Sequence, residues 1–310
     1  MTTTAAPARW SAAQIPDQTG RTAVVTGANS GLGLETTREL ARHGAHVIMA
    51  VRNLDKGATA AEQIRAQIPG ARLELRHLDL ADLDSVRAFA AGDLPALDLL
   101  INNAGVMMPP LTRTRQGFEL QIGANHLGHF ALTALLWPRL TEAPATRVVT
   151  VSSGLHKRGA IDFDDLSYDS RPYTPTGAYA QSKFANVLFG LELDRRLRAA
   201  GLPAASLLAH PGYASTNLQT SGPTGLMARL AVLGNVLIAQ SAPAGALPQL
   251  YAATAPEATG GQFIGPSRLG EMRGSPKVVH AIPSAQDPQL AARFWTVSET
   301  LTSTPFPVGR

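Results

Sequence analysis

The sequence predicts an α/β protein: a single-domain, Rossmann-type, doubly wound parallel sheet with helices on both faces. Three observations predict it. Short apolar runs alternate with amphipathic stretches, a glycine-rich turn joins the first such pair, and no linker, low-complexity run or internal repeat divides the 310 residues.

The elements follow in order. "TAVVT" (Thr22 to Thr26) is β-branched and reads as a strand, followed at once by "GANSGLG" and then by "LETTRELARHG", whose Leu34, Leu40 and Ala41 suit one helix face closed by Gly44. "AHVIMAV" is a second strand, "LDKGATAAEQIRAQI" a helix stopped before Pro69, and "RLELRHL" a third strand. A helix through "DLDSVRAFA" leads to the apolar "LDLLI" and then "NNAG". A long helix is expected from about Gln116 to Leu140, before the strand "RVVTVSS". The second half predicts a helix over "AYAQSKFANVLFGLELDRRLRAAG", a strand in "ASLLAHPG", a helix near "PAGALPQLYAAT" and a short strand in "GQFIG". Right-handed crossovers turn such an alternation into one sheet covered on both faces. We expect residues 1–19 to be an extension, 20–310 the Rossmann domain, and about 213–245 a substrate-loop region.

Composition narrows the function. Hydrophobic residues make up 45% and charged ones 16%, as in a compact globular protein. The net charge is +4, but the 27 Lys and Arg are scattered and form no basic stripe interleaved with aromatics, so no nucleic-acid partner is expected. With no cysteine, disulfides, thiolate catalysis and Cys-based zinc sites are excluded, and the eight His show no metal-ligand spacing. The N-terminus lacks the apolar core of a signal peptide, and "GLMARLAVLGNVLIAQ" (Gly225 to Gln240) is too short to span a bilayer and carries Arg229. A cytoplasmic protein without a membrane span is the expectation.

"TGANSGLG" places Gly27, Gly31 and Gly33 between a strand and a helix, where the backbone can approach a pyrophosphate and the helix N-terminus offers unpaired N–H groups. Gly27, Asn29, Ser30, Gly31, Leu32 and Gly33 are the candidate phosphate-side contacts. An Asp or Glu after the second strand would accept from the ribose 2′-hydroxyl of NAD; here the chain reads "MAVRN", with Arg52 and Asn53. Arg52 would welcome a 2′-phosphate through charge-assisted bonds, which predicts NADP(H), with NAD(H) left open should Arg52 only point into solvent. Asp79 and Leu80 at the end of the third strand, and Asn103, Ala104 and Gly105 at the end of the fourth, arrive at the same carboxyl-end crevice.

Tyr179 and Lys183 in "YAQSK" are four apart, hence on one helix face. A free phenol titrates near ~10. An ammonium one turn away favours the phenolate and is expected to bring the phenol toward a useful range for proton transfer. Alone, such a pair is common by chance and is usually structural.

Together, "TGANSGLG", "NNAG", "NHLGHF", "VVTVSS", "YAQSK" and "HPG" stand in the order found in short-chain dehydrogenases/reductases, which the chain resembles from about residue 20 to at least 220. "TGANSGLGLET", "AVRN", "NHLGHF" and "SSGLHKRG" are similar to its retinol dehydrogenase-like and WW-domain oxidoreductase-like branch. The resemblance implies Tyr179 as general acid/base and Lys183 as the residue that tunes it and binds the nicotinamide ribose. It implies Ser153 as the hydrogen-bond partner of the substrate oxygen and Asn125 as holder of a water linking Lys183 to solvent. Pro211, Gly212 and Thr216 match the stretch near the nicotinamide. The implied reaction is transfer of hydride from NADPH to a carbonyl carbon, with Tyr179 giving the proton, or the same path reversed on an alcohol. The substrate would be a small, lipophilic ketone, aldehyde or alcohol if the apolar residues Leu218, Leu226, Met227, Leu230, Val232 and Leu233 cover the pocket. A homodimer or homotetramer is implied by the family's helix pairing.

The 26 positions from Ser153 to Tyr179 exceed the family's usual interval, so residues 154–178 contain an insertion beside the pocket, in which His156 and Tyr173 either touch substrate or serve the loop. The absence of cysteine separates the chain from the light-dependent protochlorophyllide reductases. Nucleotide-sugar epimerases and dehydratases share the fold, but their glycines usually run Gly-x-x-Gly-x-x-Gly, unlike the gaps here. A non-catalytic nucleotide sensor would tend to have lost one of Asn125, Ser153, Tyr179 or Lys183, and all four are present.

Overall fold

β-Branched and aliphatic runs form the centre of one eight-stranded sheet ordered β3-β2-β1-β4-β5-β6-β7-β8. The computed structural model describes residues 9–143, 145–213 and 240–308. The strands are β1 (Thr22–Thr26), β2 (His46–Val51), β3 (Arg72–His77), β4 (Leu99–Asn102), β5 (Arg147–Val151), β6 (Ala205–Ala209), β7 (Phe263–Arg268) and β8 (Arg273–Val279). All neighbours pair in parallel except β7 and β8. Both faces of the central strands are buried. Ala23 and Val25 of β1, Val47 and Met49 of β2 and Leu99 and Ile101 of β4 join one core. The intervening Val24, Ile48 and Leu100 join a second core on the opposite face. That two-residue alternation within continuous apolar runs is how a parallel sheet covered by helices reads.

The helices are α1 (Gly31–Arg42), α2 (Leu54–Gln67), α3 (Leu83–Ala91), the single turn α4 (Leu120–Ile122), α5 (Gly128–Thr141), α6 (Pro175–Ala199), α7 (Ala242–Thr254) and α8 (Pro288–Thr302). Capping explains several starts: Asn53 accepts from Lys56 N–H at 2.8 Å, and Asp287 from Gln289 N–H at 2.8 Å.

Three elements differ from the sequence reading. The helix expected from Gln116 begins at Leu120, because Gly117 turns with a φ of 87° and the Glu119 carboxylate caps Gln121 and Ile122 at 2.9 Å each. A π-helical turn, Gly123–Leu127, separates α4 from α5. The short strand expected in "GQFIG" runs from Phe263 to Arg268 and pairs with β8, which proline had hidden: Pro266 and Pro276 oppose each other in the outermost pairing, where a missing N–H is tolerated. Helix α8 carries Phe294 and Trp295 into the core, where Trp295, Phe130 and Phe306 meet with ring centres 4.7 to 5.6 Å apart. Among the described residues, no helix is long and apolar enough to cross a membrane. The apolar residues Leu218 to Leu233, expected to cover the pocket, and Thr216 lie outside the described residues.

Candidate active site

In the strand order, β1 and β4 are neighbours although β2 and β3 lie beyond β1, so the chain reverses its winding between them. Ligands of open α/β sheets bind outside the carboxyl ends of the strands at such a point. The structure brings nearly all the sequence-derived candidates to that edge.

On the nucleotide side, Gly27 N–H donates to the Ala50 carbonyl at 2.9 Å, and Leu78 N–H to that of Val51 at 2.9 Å, lining up the ends of β1, β2 and β3. Gly33 has no room for a side chain: a Cβ there would overlap the Gly27 carbonyl and stand 2.6 Å from Asn103 Nδ2. Ser30 precedes α1 without a capping bond, and no acid lies in the first turn. The first N–H groups of α1 thus meet neither a side-chain cap nor an opposing carboxylate, which suits an anion at the turn through Asn29 to Leu32. The residues present therefore fit a pyrophosphate.

Arg52 and Asn53 are exposed at the end of β2. The Asn53 side chain is engaged in capping α2, accepting from Lys56 N–H. Asp79 is oriented by its own turn, its Oδ1 accepting from Ala81 N–H at 2.9 Å, while Leu80 is buried beneath Gly128. Asn103 is fixed through its amide: Nδ2 donates to the Thr26 carbonyl at 2.8 Å and Oδ1 accepts from Gln249 at 3.2 Å.

On the catalytic side, Gly105 joins the two halves. A Cβ on it would lie 3.1 Å from Asn125 Oδ1 and 3.6 Å from Lys183 Nζ. The Asn125 side chain pairs with the Val106 backbone, accepting from N–H at 2.7 Å and donating to the carbonyl at 3.0 Å, and donates to Ser182 Oγ at 2.9 Å. Lys183 Nζ donates to the Val151 carbonyl at 3.2 Å, one of the three donors an ammonium carries, and lies 5.6 Å from the centre of the Tyr179 ring. The hydroxyl of Ser152 donates to the Lys183 carbonyl at 2.8 Å, so β5 grips α6 next to the candidate serine. Ser153 caps the short helix Gly154–Arg158, and its hydroxyl stands close enough to the Tyr179 phenol to favour the ionised form.

The electrostatics reverse one expectation. Burial pushes the Tyr179 phenol up to about 12 against the pull of Ser153, and the same burial brings Lys183 down to about 8. The expected lowering of the phenol by its neighbouring ammonium is not found; desolvation, which penalises each charged form, sets the direction of both shifts.

Of the remaining candidates, Pro211 and Gly212 follow β6, one strand further along. Gly212 has a φ of 67°, and a Cβ on it would strike the Met272 carbonyl. His156 and Tyr173 both have partners within the protein. His156 is buried, donates to the Ser153 carbonyl at 2.7 Å and packs on Phe263. Tyr173 donates to the Pro109 carbonyl at 2.8 Å and accepts from Gln121 Nε2 at 3.2 Å. Arg113 meets Asp169 at 2.9 Å, so the insertion is fastened to the segment ahead of the π turn.

Sequence reasoning missed three residues that organise the site. Thr26 and His129 bond one another at 2.9 Å behind the turn, and His129 was legible as the residue four after Asn125. Glu271, in the β7–β8 connection, meets Lys157 at 2.9 Å and His210 at 3.5 Å, and no local signal marked it. Among the described residues, no cluster of His, Asp or Glu could hold a metal ion.

Comparison with known proteins agrees with this architecture. Residues 21–224 match the family model described as short chain dehydrogenase. Human retinol dehydrogenase 13 is 41% identical over 297 residues, covering 94% of this chain and 86% of that protein. Mouse polyprenol dehydrogenase is 41% identical over 298 residues, covering 93% and 85%. A crystal structure of an uncharacterized protein from Mycobacterium paratuberculosis superimposes with a TM-score of 0.82 at 48% identity, over 97% of this chain and all of the other. The chain belongs to the short-chain dehydrogenase family, in its retinol dehydrogenase-like branch.

Proposed function

We propose that this oxidoreductase interconverts a carbonyl and an alcohol on a lipophilic small molecule, with NADP(H) as preferred cofactor and Tyr179 as general acid and base. The observation that carries the reading is the buried phenol of Tyr179 beside Ser153, one helical turn from Lys183, at the carboxyl edge of the sheet.

A bound reduced nicotinamide would supply the hydride. Tyr179, held protonated by burial, is in the acid form that gives a proton to the oxygen of a carbonyl being reduced. The Ser153 hydroxyl steadies that oxygen as charge develops on it. Lys183, fixed by the Val151 carbonyl, keeps donors for ribose hydroxyls and presents a positive charge that favours the phenolate left once Tyr179 has given up its proton. Asn125, with its side chain spent on Val106 and Ser182, offers its backbone carbonyl to a water on the way to Lys183. Arg52 meets a 2′-phosphate at the end of β2.

Two features support the lipophilic substrate. The names of two relatives specify retinol and polyprenol, both isoprenoid alcohols. Tyr213, Leu269 and Met272, which follow or adjoin Gly212, are exposed apolar side chains on the rim of the same edge. The test is nicotinamide absorbance with NADPH and NADH against aliphatic, aromatic, steroid, retinoid and polyprenyl carbonyls. Turnover of apolar carbonyls with NADPH preferred is the expected result. Preference for NADH overturns the role of Arg52, and failure to bind either nucleotide overturns the whole reading.

A further inference from the structure

Behind the cofactor turn, four groups form a hydrogen-bonded chain in which every donor and acceptor can be assigned. His129, at the start of α5, is 1% exposed, and its Nδ1 lies 3.0 Å from the Asn125 carbonyl. A carbonyl only accepts, so Nδ1 carries a proton. Burial holds the ring neutral, pulling it down to about 4, so Nε2 is a bare acceptor. Thr26 Oγ1 stands 2.9 Å from Nε2 and therefore donates to it, in preference to the Ile101 carbonyl at 3.3 Å. The hydroxyl oxygen is then left to accept from Asn103 N–H at 3.0 Å and Ala104 N–H at 2.9 Å. The polarity runs in one direction, from the turn after β4 through Thr26 and His129 to Asn125.

A second tie runs in parallel. Thr133 Oγ1 donates to the His129 carbonyl at 2.7 Å and accepts from Asn102 Nδ2 at 3.0 Å, so the first turn of α5 is fixed to the end of β4 from its backbone as well as its ring.

Building on the function proposed above, we propose that His129 is a positioning residue. It locks the Asn125 carbonyl in the π turn to the Asn103–Ala104 turn, so that the proton-relay side and the nucleotide side of the site keep one register. The ring takes one lone pair of the Asn125 carbonyl and aims the other. An aliphatic side chain at 129 would leave both the Thr26 hydroxyl and that carbonyl to find other partners. A carboxamide can replace only one contact at a time.

That asymmetry supplies the test. His129→Asn keeps a donor near the position of Nδ1 but is too short to reach Thr26. His129→Gln reaches Thr26 with an acceptor but gives up the donor to Asn125. Losing one buried hydrogen bond is worth about tenfold in the step it supports. H129N is expected to raise the dissociation constant for NADPH, measured by its fluorescence, about tenfold and to lower kcat less than H129Q does. H129Q is expected to lower kcat about tenfold at saturating NADPH with a smaller change in that constant. Parallel losses of both quantities in both variants, tracking a fall in Tm, overturn the proposal, as does no effect in either. Should the variants fail to fold, ¹⁵N NMR of the wild-type ring decides: a protonated Nδ1 and bare Nε2 from about pH 5 to 9 are expected, and the opposite tautomer or a titrating ring overturns it. A wild type that binds no nicotinamide nucleotide yet shows the expected tautomer would sink the functional reading and leave the ring's tie in place.

Discussion

Lys183 Nζ lies 5.6 Å from the centre of the Tyr179 ring and donates to the Val151 carbonyl at the end of β5. The ammonium is thus placed by the sheet and faces the ring at a distance, so that burial, which raises the phenol and depresses the amine, dominates both titrations. A protein that keeps its phenol protonated this firmly presents a proton donor at neutral pH.

Replacing Tyr179 by Phe removes that donor while leaving ring and packing in place. Turnover is expected to fall at least about a hundredfold. NADPH binding, measured by fluorescence titration, should change little. Turnover that survives intact removes Tyr179 from the mechanism.

Lys183→Met should change how stability depends on pH. The folded-state value of Lys183 is lowered from 10.5 to about 8, so the unfolded chain holds more protons across that window. Stability of the wild type therefore gains from this group as pH rises from about 8 to 10.5, and loses that gain as pH falls back. The shift corresponds to on the order of 3 kcal/mol. Urea unfolding of both proteins should show this rise in the wild type and its absence in K183M.

In the function proposed above, Arg52, exposed at the end of β2, meets a 2′-phosphate. Charge-assisted bonds of this kind are worth about 1.5 to 3 kcal/mol. R52A is expected to raise KM for NADPH about ten- to a hundredfold and leave KM for NADH nearly unchanged. Equal effects on both nucleotides would show that the guanidinium does not meet the phosphate.

Gly33→Ala tests the turn itself. The added methyl would overlap the Gly27 carbonyl and stand 2.6 Å from Asn103 Nδ2, and neither backbone nor fixed amide can yield cheaply. Destabilisation of about 3 kcal/mol is expected, with loss of nucleotide binding. A variant of normal Tm and affinity would mean that the turn is looser than its contacts imply.

Glu271 holds two active-site segments at once, Lys157 after β5 and His210 after β6. Contacts with His210 and Lys157 lower its carboxyl from 4.5 to about 2. This contribution is complete above pH 4.5 and is lost as pH falls toward 2. With Lys157 42% exposed, solvent screening reduces the expected loss in E271Q to about 1 kcal/mol. Acid unfolding followed by circular dichroism should be less steep in E271Q over that range, and identical curves would show that the clamp contributes nothing.

The sequence by itself determined the parallel core of the sheet, the glycine turn and the pairing of Tyr179 with Lys183, because each depends on a short repeat: two residues in a buried strand, four on a helix, three glycines across one turn. Tertiary structure decided what no local repeat encodes. The β8 strand was hidden because Pro276 forms an acceptable edge strand only when a partner lies on one side. The direction of the Tyr179 shift depends on how deeply α6 is buried, which spacing along a helix does not specify. The Thr26–His129 bond joins residues 103 positions apart, and the Glu271–Lys157 pair residues 114 apart. Such contacts arise only after the crossovers have brought the ends of separate strands to one edge, where a buried donor must find whatever acceptor the fold has delivered.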